Sequence, residues 1–164
     1  MQNLPSAEHQ LGEFIVCFQH LEDQINDLLV LMAKSDDSVV RILVNDLEYN
    51  KRLVTADVLF SYVVNVRNNI NEGAKVEFRK LTNELRKLGE RRNDLVHSRY
   101  NPWTDTEGNE GLIRTNSKLL GGRGVREEKE EELQPEDFHD DLQQLAEAAD
   151  AIQKFRLRII DWLY

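Results

Sequence analysis

Leu81-Thr82-Asn83-Glu84-Leu85-Arg86-Lys87-Leu88-Gly89-Glu90-Arg91-Arg92-Asn93-Asp94-Leu95-Val96-His97 is the stretch that decides the reading of this chain. Leu81, Leu85, Leu88 and then Leu95 or Val96 recur at three- and four-residue steps, the spacing of one face of an α-helix. Val76 extends the stripe backward, so a helix is predicted over about 74–99. Pro102 ends it, because the residue before a proline is pushed out of the helical region. Arg92 interrupts the stripe at a position where the pattern asks for an apolar side chain. A guanidinium there needs a carboxylate, an interface or an anionic ligand, since burying it unpaired is costly. Asn93, His97 and Tyr100 follow at i, i+4 and i+7 as a polar row along an adjacent edge. At helical pitch Arg92 and His97 lie roughly 140° apart. Bringing them together requires the reach of the arginine, fraying of the last turn, or a second copy of the helix in a two-fold dimer.

Working outward, residues 6 to about 33 form a long amphipathic helix with Ser6 as N-cap and Leu11, Phe14, Ile15, Phe18, Leu21, Ile25, Leu28, Leu29 and Met32 on its apolar side. Ser35-Asp36-Asp37 caps a second helical region over about 37–68, rich in β-branched residues, with a break near Asn50. Its apolar positions are Val40, Leu43, Val44, Leu47, Leu53, Leu59, Val63 and Val66. The last helix opens near Pro135, a residue suited to a first helical position, with Glu136 and Asp137 favoured by the helix dipole. Between the last two long helices, 101–133 reads as an insertion. It holds a short β-hairpin around Gly108 and Gly111, a glycine-rich break at Gly121-Gly122-Arg123-Gly124, and an extended or irregular run from Glu127 to Glu132. The break is no phosphate loop, for no strand-then-lysine signature accompanies it. The fold expected is all-α: one domain over 1–164, an antiparallel bundle of four to five helices carrying a short hairpin and loop insertion.

The chain has 164 residues, and a formal net charge of −9 argues at first against a nucleic-acid partner. The average conceals two regions. Lys75–Arg99 holds eight basic and four acidic residues, a net of +4, whereas Glu127–Asp150 holds eleven acids against Lys129, a net of −10. Both can be solvated helix faces; the first can also be a local anion-binding surface. The single cysteine, Cys17, fits a reducing compartment and the role of a core filler. Met1-Gln2-Asn3-Leu4-Pro5 lacks the basic and then apolar regions of a signal peptide, and no apolar run approaches membrane-spanning length. A cytoplasmic protein without membrane contact is expected.

Each marked residue has an ordinary reading as well. His97 can close the helix, where positive charge suits the dipole. Arg92 can pair with Glu22, which interrupts the stripe of the first helix. Tyr100 and Trp103 can be core edges.

Arg92-Asn93-Asp94-Leu95-Val96-His97 resembles the R-N-x-x-x-H motif of the HEPN superfamily. The motif's place near the end of the third long helix, and an insertion before a final amphipathic helix, are similar to that family too. The resemblance covers the whole chain in architecture and six to nine residues in specific motif. It implies a metal-independent endoribonuclease acting as a homodimer, in which the two motif helices meet. Other members imply a toxin or defence effector with an antitoxin, or a non-catalytic partner of a nucleotidyltransferase. Certain toxins in the family carry tyrosine two residues after the histidine, whereas Tyr100 is three after His97.

The residues suit that chemistry without a cofactor or metal. Histidine can remove the ribose 2′-hydroxyl proton or protonate the leaving 5′-oxygen. Arginine can hold two phosphate oxygens and stabilise the charge that develops between them. Arg92, His97 and Asn93 are therefore the expected catalytic group. Arg86, Lys87, Arg91, Arg99, Tyr100 and Arg123 are expected to hold RNA, with Glu22 in support. Two rivals remain. Asp94-x-x-His97 and Glu136-x-x-His139 carry the spacing of a carboxylate and histidine metal bundle. A non-catalytic homodimeric module could instead use the acidic 127–150 region to bind a basic protein.

Overall fold

In the computed structural model, which describes residues 4–164, the chain forms five α-helices and a three-stranded antiparallel sheet. The helices are α1 (Ala7–Ala33), α2 (Asp37–Val44), α3 (Tyr49–Val66), α4 (Gly73–Val96) and α5 (His139–Leu163). The strands are β1 (Arg99–Thr104), β2 (Glu110–Leu120) and β3 (Val125–Leu133), in the order β1-β2-β3. Of the N-terminal pentapeptide, Met1, Gln2 and Asn3 lie outside the described residues. Among those described, no helix is long and apolar enough to cross a membrane.

The sheet corrects the all-α expectation. The run Glu127 to Glu132, expected to be extended or irregular, is most of a nine-residue strand, and β2 extends for eleven residues rather than closing a small hairpin. β3 lacks the alternating apolar pattern that announces a strand because little of it is buried. Its register is supported instead by cross-strand pairs of opposite charge, Arg114 opposite Glu131 and Lys118 opposite Glu127. The turns follow local chemistry. Asp105 accepts hydrogen bonds from the backbone N–H of Glu107 and Asn109 at 2.9 and 2.8 Å, and Gly108 takes a φ of 87° that favours glycine. Gly121–Arg123 is a single 3-10 turn closed by the Gly124 N–H on the Gly121 carbonyl, with Gly124 at φ 60°. The glycine-rich segment is thus a hairpin tip joining β2 to β3.

The helix caps follow the sequence closely. Ser6 Oγ accepts from the His9 N–H at 3.2 Å, and Asp36 accepts from the Val39 N–H at 3.1 Å. The break expected near Asn50 falls at residues 45–48, where Arg52 donates to the Leu47 carbonyl at 2.8 Å.

The chain divides into two compact units. One takes the described residues through Cys17 together with Glu90–Gln144, and the other takes Phe18–Gly89 with Leu145–Tyr164. The second is centred on rings: Phe60 stacks on Phe78 at 4.1 Å, Phe155 stands edge-on to both, and Trp162 flanks Phe60. Tyr49 donates its hydroxyl to the Leu85 carbonyl at 2.6 Å and lies where a Cβ on Gly89 would come within 2.5 Å of its ring. That close approach explains a glycine inside a helix. The first unit buries Phe14, Leu95, Leu112, Leu133 and Phe138, and it holds the sheet.

Candidate functional site

α4 ends where the sequence motif sits. Ala74, Phe78, Leu81, Leu85, Leu88 and Leu95 form its buried face, while Val76 and Val96, expected in that stripe, are exposed. The row drifts because 3.6 residues per turn does not follow a fixed three-or-four step for six turns. Past Leu88 the face passes between Arg91 and Arg92, and both are half-buried.

Arg91 takes the carboxylates. Its guanidinium forms paired hydrogen bonds to Glu131 at 3.0 Å each, and it reaches both oxygens of Asp141 at 3.0 to 3.2 Å. Glu131 also accepts from Arg114, which is almost fully buried on the inner side of β2 and donates onward to Ser98 Oγ at 3.0 Å and the Asp94 carbonyl at 3.3 Å. The Nε of Arg114 is buried without a hydrogen-bond partner among the described residues. Burial alone would push the Glu131 carboxyl up, but the hydrogen bonds and charge of Arg91, with those of Arg114, hold it below its ordinary value. Two arginines and two acids therefore close a neutral network that ties β2, β3 and the start of α5 to the last turn of α4.

The motif residues stand beside this network. Arg92 Nη1 donates to Asn93 Oδ1 at 3.1 Å, and the Asn93 carbonyl accepts the His97 N–H at 3.0 Å. Asn93 thus links the arginine and the backbone of the histidine, and both Asn93 and His97 are exposed. The helix end is held from the strand side: Tyr100 donates its hydroxyl to the Leu95 carbonyl at 2.6 Å, and Ser98 Oγ donates to the Asp94 carbonyl. Burial pushes the Tyr100 phenol up. Tyr100, expected among the RNA contacts, serves here as a side-chain cap.

The remaining expected residues disperse. Arg86 bonds Asn83 at 2.6 Å and Lys87 bonds Glu84 at 3.4 Å, both on the exposed side of α4 and both in the second unit. Arg99 opens β1 opposite Thr115 and is exposed. Arg123 lies at the hairpin tip, five strand residues beyond Thr115 on β2, on the order of 17 Å at strand rise. Glu22 is half-buried in α1, where its charge acts on Tyr49. Among the described residues, no group of three or more His, Cys, Asp and Glu comes together that could hold a metal ion, so the Asp94–His97 and Glu136–His139 pairs do not assemble into a shared centre.

Periodicity and motif spacing do not single out Arg114, Glu131 or Asp141. A signal existed for the first: Arg114 is two residues from Leu112 and so shares its inward face on a strand, which demands an acid nearby. The chain matches no protein-family model, and no curated protein or solved structure is significantly similar to it.

Proposed function

We propose that this protein is a metal-independent endoribonuclease that cuts RNA to a 2′,3′-cyclic phosphate and a 5′-hydroxyl, with Arg92, Asn93 and His97 as its reactive group. The observation carrying the reading is the Asn93 linkage. The Asn93 side chain holds the Arg92 guanidinium one helical turn before the exposed imidazole of His97, whose N–H continues the helix ladder onto the Asn93 carbonyl. His97 takes the 2′-hydroxyl proton or delivers one to the leaving oxygen, and Arg92 binds the phosphate whose charge grows in the transition state. A homodimer would present two such groups, and a toxin or defence role with an antitoxin or nucleotidyltransferase partner belongs to the same reading. The test is cleavage of labelled single-stranded RNA in EDTA. Arg92→Ala and His97→Ala, with unchanged folding, are expected to lose at least about 100-fold in rate, the usual share of a general acid or base.

A second reading, a module that binds a basic protein, is favoured by one feature. Glu128, Glu130 and Glu132 fall on one side of exposed β3 opposite Ser117, Thr115 and Ile113, so no basic residue faces them from β2, although Arg126 of β3 itself pairs with Glu128 at 3.7 Å. It expects RNA to survive the wild-type protein, with His97→Ala altering stability only.

A further inference from the structure

β2 outruns β1. The two pair only from Thr104 opposite Glu110 to Arg99 opposite Thr115, whereas β2 and β3 stay paired as far as Leu120 opposite Val125. Past Thr115 the sheet is therefore a two-stranded ribbon, closed by Gly121–Arg123 and extending on the order of 17 Å at strand rise. Most of its residues are exposed. The ribbon leaves the sheet at the level of the motif, since Arg99, the partner of Thr115, stands two residues past His97.

Alternation divides the ribbon's charges between two faces. One face continues the row of Arg114 and Glu131, which is turned to the end of α4: Arg114 donates to Ser98 and the Asp94 carbonyl, and Glu131 accepts from Arg91. Beyond that neutral network the same face carries Lys129 opposite Asn116 and then Lys118 opposite Glu127. Its net charge there is 2 − 1 = +1, and Arg123 adds to it at the tip. The other face of β3 carries Arg126 with Glu128, Glu130 and Glu132, a net of 1 − 3 = −2. Arg126 is held by Glu128 at 3.7 Å, whereas Lys118, Arg123 and Lys129 close no ion pair among the described residues.

We infer that the ribbon is an arm that holds the RNA strand running away from the Arg92–His97 group, with Lys129 and Lys118 on its phosphates and Arg123 at the far end. The inference rests on the nuclease reading and says how that site keeps its substrate. Same-face positions follow one another about 7 Å apart along a strand, so the two lysines form successive steps outward from the motif. Each step places an unpaired cation where a phosphate can displace its counterions. The acidic opposite face repels the same strand and so fixes the side on which it lies. A chain of net charge −9 needs such a local track to hold a polyanion.

Fluorescence anisotropy with labelled single-stranded 2′-O-methyl RNA, which lacks the hydroxyl needed for cutting, reads binding apart from cleavage. The wild-type protein is expected to bind it with an affinity that falls as salt is raised. Lys118→Ala combined with Lys129→Ala is expected to weaken binding and to flatten the plot of log affinity against log salt by about 1.4, the share of two phosphate contacts on a single strand. Arg126→Ala removes one charge from the opposite face and is expected to leave that slope unchanged. A slope unaltered in the double variant, or an equal loss per charge in Arg126→Ala, overturns the arm and leaves the nuclease reading standing. A wild-type protein that does not bind the RNA overturns the arm as well. Unmodified RNA that is bound through the two lysines but left uncut counts against the nuclease reading and not against the arm.

Discussion

In the unit formed by Phe18–Gly89 and Leu145–Tyr164, Phe60, Phe78, Phe155 and Trp162 meet ring against ring. In the unit that holds the sheet, Arg91, Arg114, Glu131 and Asp141 bind charge against charge beside a smaller apolar core. The ring cluster is held by area and packing, which tolerate changes of pH and salt. The charge network holds only while its acids are ionised and its arginines paired, and removing one member leaves others half-buried without compensation. The candidate reactive group sits at the end of the helix that this conditional network grips. Orientation of such a group can be precise there, at the cost of robustness.

The largest effect is expected in the ring cluster. Phe60→Ala removes the ring that the other three touch and should cost about 3–5 kcal/mol in urea unfolding. A loss below ~1 kcal/mol would break the comparison, since the cluster would then be able to collapse into the space. Arg91→Ala is next. It strands Asp141 and leaves Glu131 to Arg114 alone, but both pairs are partly solvated, so about 2 kcal/mol is expected rather than the roughly 3–5 of a fully buried pair.

The comparison sharpens with pH. Because the Glu131 carboxyl titrates lower in the folded chain than in the unfolded one, its contribution is fully present above its ordinary unfolded value and is lost as pH falls through the folded value. Unfolding midpoints compared between neutral and acidic pH should therefore fall more for the wild type than for Glu131→Gln, in which this linkage is absent. Equal pH sensitivity of the two would count against the network as the conditional element. The smallest effect is expected from Tyr100→Phe, which loses the bond to the Leu95 carbonyl and should cost about 0.5–1.5 kcal/mol.

Helices and caps were legible in the sequence because their signals are local: Ser6 and Asp36 sit within three residues of the N–H groups they accept. β3 was not, because a glutamate-rich strand with little burial carries neither β-propensity nor alternation, and its support comes from Arg114 and Lys118 on the neighbouring strand. The motif at Arg92 to His97 was legible as a pattern. Which of two adjacent arginines takes the acids was not. Periodicity places a helix face only to within about one residue, and the acids that decide it stand 40 and 50 residues further along the chain.

The most direct test of the account is cutting of a random-sequence RNA pool in EDTA, with the 3′ ends of the products identified. The account predicts products ending in 2′,3′-cyclic phosphate from the wild-type protein and none from Arg92→Ala or His97→Ala. Equal cutting by both variants, or an intact pool after incubation with the wild-type protein, would contradict it.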